Sequence, residues 1–209
     1  MRDDAQLAPV IRQRRFGDMR QAYFHEDDYC QIEVLPLENL KFCLEQAGKI
    51  REFSEKHRNG LGWDDVYLRE DNPRKIIELN ITIEDVRNSL EGKLPEYDEV
   101  YTDYSSERTL CNRTHAFGKD QGEVIFMETD EDGKLISLWC SDPTTDLYFL
   151  PHCEKFLLAD WGWEFICPLA DKVRMKEYLT EREKVFSEMA KKWEEQRKSD
   201  SKKWWKFWR

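Results

Sequence analysis

Polar and apolar side chains alternate over residues 29–35, which places Cys30, Ile32 and Val34 on one face of a strand that ends at Pro36. The period then changes. Leu40, Cys43/Leu44, Ala47, Ile50 and Phe53 recur every three or four residues across 37–57 and predict a helix with Glu38, Lys41, Glu45, Lys49 and Glu52 outside, stopped at Asn59-Gly60-Leu61-Gly62. Val66-Tyr67-Leu68 suits a short strand before the turn Asp71-Asn72-Pro73. Thr82-Ile83-Glu84-Asp85 is a capping box that opens a helix to about Gly92, and 97–101 suits another strand. The β-rich runs 123–129 and 134–140, joined by Asp130-Glu131-Asp132-Gly133, predict a hairpin at the centre of a sheet. Residues 141–155 form a connection with a helical turn near 146–150, and Trp161, Trp163, Phe165 and Cys167 alternate onto one side of a last strand closed by Pro168. From Asp171 a long helix carries the stripe Met175, Tyr178/Leu179, Val185/Phe186, Met189 and Trp193, with fraying expected near Ser199-Asp200-Ser201.

Together these elements predict an α+β fold: a mostly antiparallel sheet, flanking helices and a long C-terminal helix. A chain of 209 residues is long enough for one complete core. The expected organisation is an N-terminal arm over 1–22 with a short helix around 8–15, a single domain over 23–199, and a basic, tryptophan-rich tail over 200–209.

Charge divides the molecule. Residues 191–209 carry eight Lys/Arg against three Asp/Glu, and this surplus of five leaves −15 on residues 1–190 of a chain whose formal net charge is −10. An anionic body repels nucleic-acid phosphates, so no nucleic acid is expected as a partner and a basic protein is. The N-terminus has no basic segment followed by an apolar run, and no apolar stretch is long enough to span a bilayer. The expected compartment is the cytoplasm, where Cys30, Cys43, Cys111, Cys140, Cys153 and Cys167 stay reduced, mostly as buried thiols.

No Walker A loop, dinucleotide loop or nucleophile elbow occurs, so no catalytic residue and no cofactor is assigned. Two weaker constellations keep a small metal- or thiol-dependent enzyme open as an alternative. One is His25 with Asp27 and Asp28; the other is Cys111 with His115, to which His152 and Cys153 add a zinc-type ligand set at unsuitable spacing. Acidic runs that recur beside rings define a candidate partner-binding face: Glu26, Asp27, Asp28 and Tyr29; Trp63, Asp64 and Asp65; Tyr97, Asp98, Glu99 and Tyr101. On such a face the rings anchor while the carboxylates steer encounter. Trp204, Trp205 and Trp208, set among lysines, suit either a membrane-peripheral contact or a cover for the body, the second being preferred; stable insertion is not expected. None of these features sets an oligomeric state.

The segments Asp28-Tyr29-Cys30-Gln31-Ile32-Glu33, Asp98-Glu99-Val100-Tyr101-Thr102-Asp103-Tyr104-Ser105-Ser106, Ala116-Phe117-Gly118 and the hairpin over 124–139 resemble small α+β immunity proteins of bacterial polymorphic-toxin systems. The resemblance spans roughly 23–180 through strand patterns and leaves out the basic tail. It implies a chain without chemistry of its own that binds and blocks a cognate toxin, often a basic nuclease, in the cytosol of the producing cell.

Overall fold

The computed structural model describes residues 19–25, 27, 29–59, 62–104 and 107–204. The short helix expected around 8–15 lies outside them. In chain order the elements are β1 (Gln21–His25), β2 (Ile32–Pro36), α1 (Leu40–His57), β3 (Arg58–Asn59), β4 (Gly62–Trp63), α2 (Ile83–Leu90), β5 (Glu99–Tyr104), β6 (Glu107–Leu110), β7 (Thr114–Phe117), β8 (Ile125–Thr129), β9 (Leu135–Cys140), β10 (Phe156–Asp160), β11 (Phe165–Pro168) and α3 (Lys172–Trp204). Short 3-10 segments at Leu37–Asn39, Ile76–Leu79, Thr145–Phe149 and Cys153–Lys155 fill the connections.

A six-stranded antiparallel sheet in the order β11-β10-β2-β9-β8-β7 divides the core into layers. Strand alternation sends Ile32, Val34, Ile125, Met127, Leu138, Phe156 and Leu158 to one face, where they pack with Val86 and Leu90 of α2 and with Met175 and Tyr178 of α3. The opposite face has two covers. At one end Leu35, Leu157, Ala159 and Ile166 meet Cys43 and Ala47 of α1; at the other, Phe126 and Trp139 meet Ala22 and Val100 of a small sheet ordered β1-β5-β6. In that small sheet β1 runs parallel to β5, so the architecture is α+β with mostly antiparallel pairing.

The hairpin β8–β9 forms as expected, and Gly133 takes φ +76°, a left-handed conformation that costs glycine little. The capping box also forms: Thr82 Oγ1 accepts from the Asp85 N–H, and the Asp85 carboxylate accepts from the Thr82 N–H. Other expectations need correction. Residues 66–68 extend without a strand partner among the described residues, because Tyr67 and Arg69 are drawn inward to side chains. Trp161 and Trp163 sit in the turn between β10 and β11 and not on one strand; the buried run Phe156–Asp160, placed beside β2, is the strand that the alternation of rings obscured. Leu44 faces solvent, and Gln46 takes the buried place beside Cys43 and Ala47, its amide oxygen accepting from the Tyr67 hydroxyl.

β1 begins at Gln21 and its Ala22 is wholly buried, so packing starts just ahead of residue 23. At the other end α3 continues through Ser199–Ser201 to Trp204, without the expected fraying.

α3 is held to the sheet by charge as well as by its apolar stripe. The Asp160 carboxylate is buried at the end of β10; it accepts from Arg182 Nη1 at 2.9 Å, from the Tyr178 hydroxyl and from the Trp163 N–H at 3.1 Å. Arg182 also donates to Asp142 through Nε and Nη2, at 3.0 and 2.7 Å, and its guanidinium lies 5.2 and 4.9 Å from the Trp163 and Phe186 rings. Burial, then hydrogen bonding to the charged Asp160, pushes the Tyr178 phenol far above its ordinary range, so it acts only as a donor. Arg182→Ala strands a buried carboxylate and is expected to lower unfolding free energy by about 3–5 kcal/mol, against about 1–2 kcal/mol for Tyr178→Phe. Urea denaturation measures both, and a loss below about 1 kcal/mol for Arg182→Ala, the size of an exposed pair, contradicts the assignment.

Candidate functional site

The expected acidic face divides into parts with different fates. On the small sheet, Glu99 Oε2 accepts from Gln21 Nε2 at 2.8 Å and from the Tyr101 hydroxyl at 3.0 Å, and Tyr101 stacks on Tyr23 with centroids 5.7 Å apart. The Asp98 carboxylate accepts from the Arg20 N–H at 2.8 Å. Tyr97 is buried, its hydroxyl donating to the Asp120 carbonyl and its ring under the Arg20 guanidinium, so it belongs to the core and not to a contact surface. Hydrogen bonding within the sheet thus occupies much of this group.

Between β1 and β2, His25 Nδ1 accepts from the Asp27 N–H at 3.2 Å and lies 3.4 Å from the Asp27 carboxylate. Tyr29 leans edge-on against Trp139 at 4.8 Å, and burial pushes its phenol up to about 12. Glu26 and Asp28 lie outside the described residues, as do Trp205 and Trp208 beyond the end of α3 at Trp204.

The third group is the most open. Residues 64–75 form a strap without regular structure that leads from β4 toward α2. Its inward side chains pin it. Tyr67 donates to Gln46 at 3.1 Å, and Arg69 donates to the buried Glu33 at 2.6 Å and to Asn72 at 2.8 Å while lying 4.3 Å over the Trp161 ring. Asn39 closes the far end, exchanging hydrogen bonds with the Arg74 backbone. Because the segment is extended, the residues between these anchors point out: Val66 is 76% exposed and Leu68 85%, with Trp63 at 61% ahead of them. Asp64 and Asp65 stand beside them, also exposed, with His57 Nδ1 3.1 Å from Asp64 and 4.0 Å from Asp65. Trp63 Nε1 donates to Ser54 Oγ at 2.8 Å, which fixes the indole while leaving its ring in solvent.

Two of the concavities among the described residues bear on the chemistry available. A cleft of about 770 Å³ lies between α3 and the loop after β9, lined by Glu123, Asp142, Thr144, Arg182 and Phe186 among others. Its guanidinium is already committed to Asp142 and Asp160. A smaller cavity of about 320 Å³ sits beneath the strap, bordered by Tyr29, Cys30, Glu33, Arg69 and Lys75. Burial pushes the Glu33 carboxyl up, against the pull of Arg69 and the 2.7 Å hydrogen bond from Trp161 Nε1. The Cys30 thiol is pushed up to about 12, also by burial. Neither cavity presents a poised nucleophile.

The thiol and imidazole candidates are engaged separately. Cys111 directs its sulfur at the Thr109 carbonyl, 3.7 Å away, and burial raises its thiol; His115 Nδ1 instead faces Glu96 at 3.3 Å and Arg87 at 3.4 Å. His152 lies 3.8 Å from Glu154, and Cys153 packs against the core. Among the described residues no group of three or more His, Cys, Asp or Glu side chains is placed to hold a metal ion, and no helix is long and apolar enough to cross a membrane.

Glu33, Arg69, Asp160 and Arg182 belong to no motif, yet a signal for two of them is present. Glu33 interrupts the apolar run Ile32-Glu33-Val34-Leu35 and Asp160 closes Phe156-Leu157-Leu158-Ala159, and a charge inside a buried strand needs a partner. Which arginine answers each one is set only by the fold. No family model, curated protein or solved structure matches the chain.

Two measurements test this electrostatic picture. Burial opposes ionisation of Glu96, but hydrogen bonds from His115 and Arg87 overcome it and hold the carboxyl at about 2, against an ordinary 4.5. A depressed carboxyl adds stability above its unfolded value that is lost as pH falls through the folded one. The stability difference between wild type and Glu96→Gln is therefore expected to close between about pH 4.5 and 2; a gap unchanged with pH contradicts the pairing. For the thiols, Cys30 and Cys111 are expected to alkylate with iodoacetamide more slowly than free cysteine at neutral pH. Rapid alkylation of either one below pH 7 would favour a thiol enzyme.

Proposed function

We propose that the chain is a non-catalytic binding protein that captures a basic protein partner, and that it serves as an immunity protein against a cognate bacterial toxin in the cytoplasm. The observation that carries the reading is the strap, where Trp63, Val66 and Leu68 stand in solvent beside Asp64 and Asp65 on a segment pinned from within. Exposed apolar side chains grouped on a braced segment are characteristic of interaction sites, since bare apolar surface is otherwise unfavourable in water. Bracing also lowers the ordering cost of association. The surrounding −15 body draws a cationic partner in, while the rings and aliphatic chains supply contact area once it arrives. The resemblance of residues 23–180 to immunity proteins of polymorphic-toxin systems supports the toxin as the partner class. The elevated thiols of Cys30 and Cys111 support a reading without covalent catalysis.

Capture of the partner by the tagged chain from its native organism, followed by co-expression of the two, tests the proposal. Wild type is expected to restore growth, and the Trp63→Ala/Leu68→Asp variant is expected to lose protection through about 2 kcal/mol or more of binding energy per anchor. The association rate should fall steeply with added salt. Absence of protection by wild type, or equal protection by a folded variant, counts against it.

A further inference from the structure

Among the described residues no element covers the second half of α3. Residues 186–198 are exposed along their whole length, yet Phe186 (46% exposed), Met189 (41%) and Trp193 (69%) recur three and four residues apart on one flank. At about 1.5 Å per residue, 185–204 is a spur of roughly 30 Å. A solvated helix of that length is marginal in water, because helices in proteins draw most of their stability from packing an apolar stripe. The ion pairs Lys184–Glu181 and Lys198–Glu194 are exposed and add little.

Charge along this helix has a direction. Residues 177–190 hold four glutamates against Arg182 and Lys184, whereas 191–204 hold six Lys/Arg against three Asp/Glu. A parallel neighbour of the same sequence would set like halves together. An antiparallel one sets the acidic half of each helix along the basic half of the other, at both ends.

We propose that α3 pairs antiparallel with α3 of a second copy of this chain, with Phe186, Met189 and Trp193 of each helix facing the other. Trp193 of one copy packs near Met189 of its mate, which covers the exposed indole. Phe186 is braced by Trp163 at 5.8 Å and by Arg182 at 4.9 Å, so the stripe starts from the body and not from a free end. A two-fold pair satisfies the two-signed pattern by symmetry, because each patch meets its own complement twice. This surface is distinct from the strap, and its failure leaves the strap reading standing.

Sedimentation velocity of the full chain over a range of micromolar concentrations, with Met189→Glu/Trp193→Glu alongside, tests the pairing. Wild type is expected to be a dimer that weakens with salt. The double variant is expected to keep the thermal stability of the body, since both positions are exposed in the monomer, while self-association weakens about a hundredfold or more, roughly a factor of ten for each lost apolar contact. A wild type that stays monomeric at every concentration overturns the proposal, and so does a variant that dimerises as wild type does. Capture of monomer on phosphatidylserine vesicles, lost in the double variant, would also overturn it and give the stripe to a lipid surface.

Discussion

Asp160 ends β10 inside the packed sheet, where a carboxylate without a partner would sit several kcal/mol uphill from water. Arg182, Tyr178 and the Trp163 backbone answer that charge together, and two of the three come from α3. The placement of the longest helix therefore follows from one buried anion. Apolar packing through Met175 and Tyr178 supplies the area, but a greasy stripe alone tolerates sliding by a turn; an arginine held between Asp160 and Asp142 does not. Glu33 does comparable work on the other face of the same sheet. There the answering arginine, Arg69, arrives from the strap, and Trp161 donates to the same oxygen.

These two pairs connect the core to the surfaces proposed for binding. Arg69 points in, so its extended neighbours Val66 and Leu68 point out. Arg182 fixes the root of α3, so the stripe starts from the body at Phe186 and runs out into solvent through Met189 and Trp193. In each case a charge buried for structural reasons sets an apolar group in solvent. The body's remaining carboxylates lie largely outside and give the molecule a long-range negative field, the field on which the proposed capture of a cationic partner relies.

Local patterns made part of this legible. The β8–β9 hairpin, α1, α2 with its Thr82/Asp85 box and the start of α3 are encoded by short-range periodicity and turn chemistry, and they stand where the pattern places them. β10 was concealed because Phe156-Leu157-Leu158-Ala159 is apolar on both faces and shows no alternation. β1 owes its existence to parallel pairing with β5, some 78 residues away along the chain, as the Gln21–Glu99 contact shows. Residues 66–68 have strand-like composition, but among the described residues no strand lies beside them, and the exposure of Val66 and Leu68 follows from the inward anchoring of Tyr67 and Arg69. Of the candidate surface, Trp63, Asp64 and Asp65 were visible from charge beside a ring. Tyr97 was not distinguishable from them, since only the fold turns it toward Asp120 and Arg20.

The claim that the Asp160 anchor makes the first turns of α3 one cooperative unit with the sheet is tested most directly by native-state hydrogen exchange. Amides of 175–186 are expected to exchange only with the global opening that releases β10, with matching dependence on denaturant. Exchange of those amides through a separate, lower-energy opening, while β10 stays protected, would contradict it.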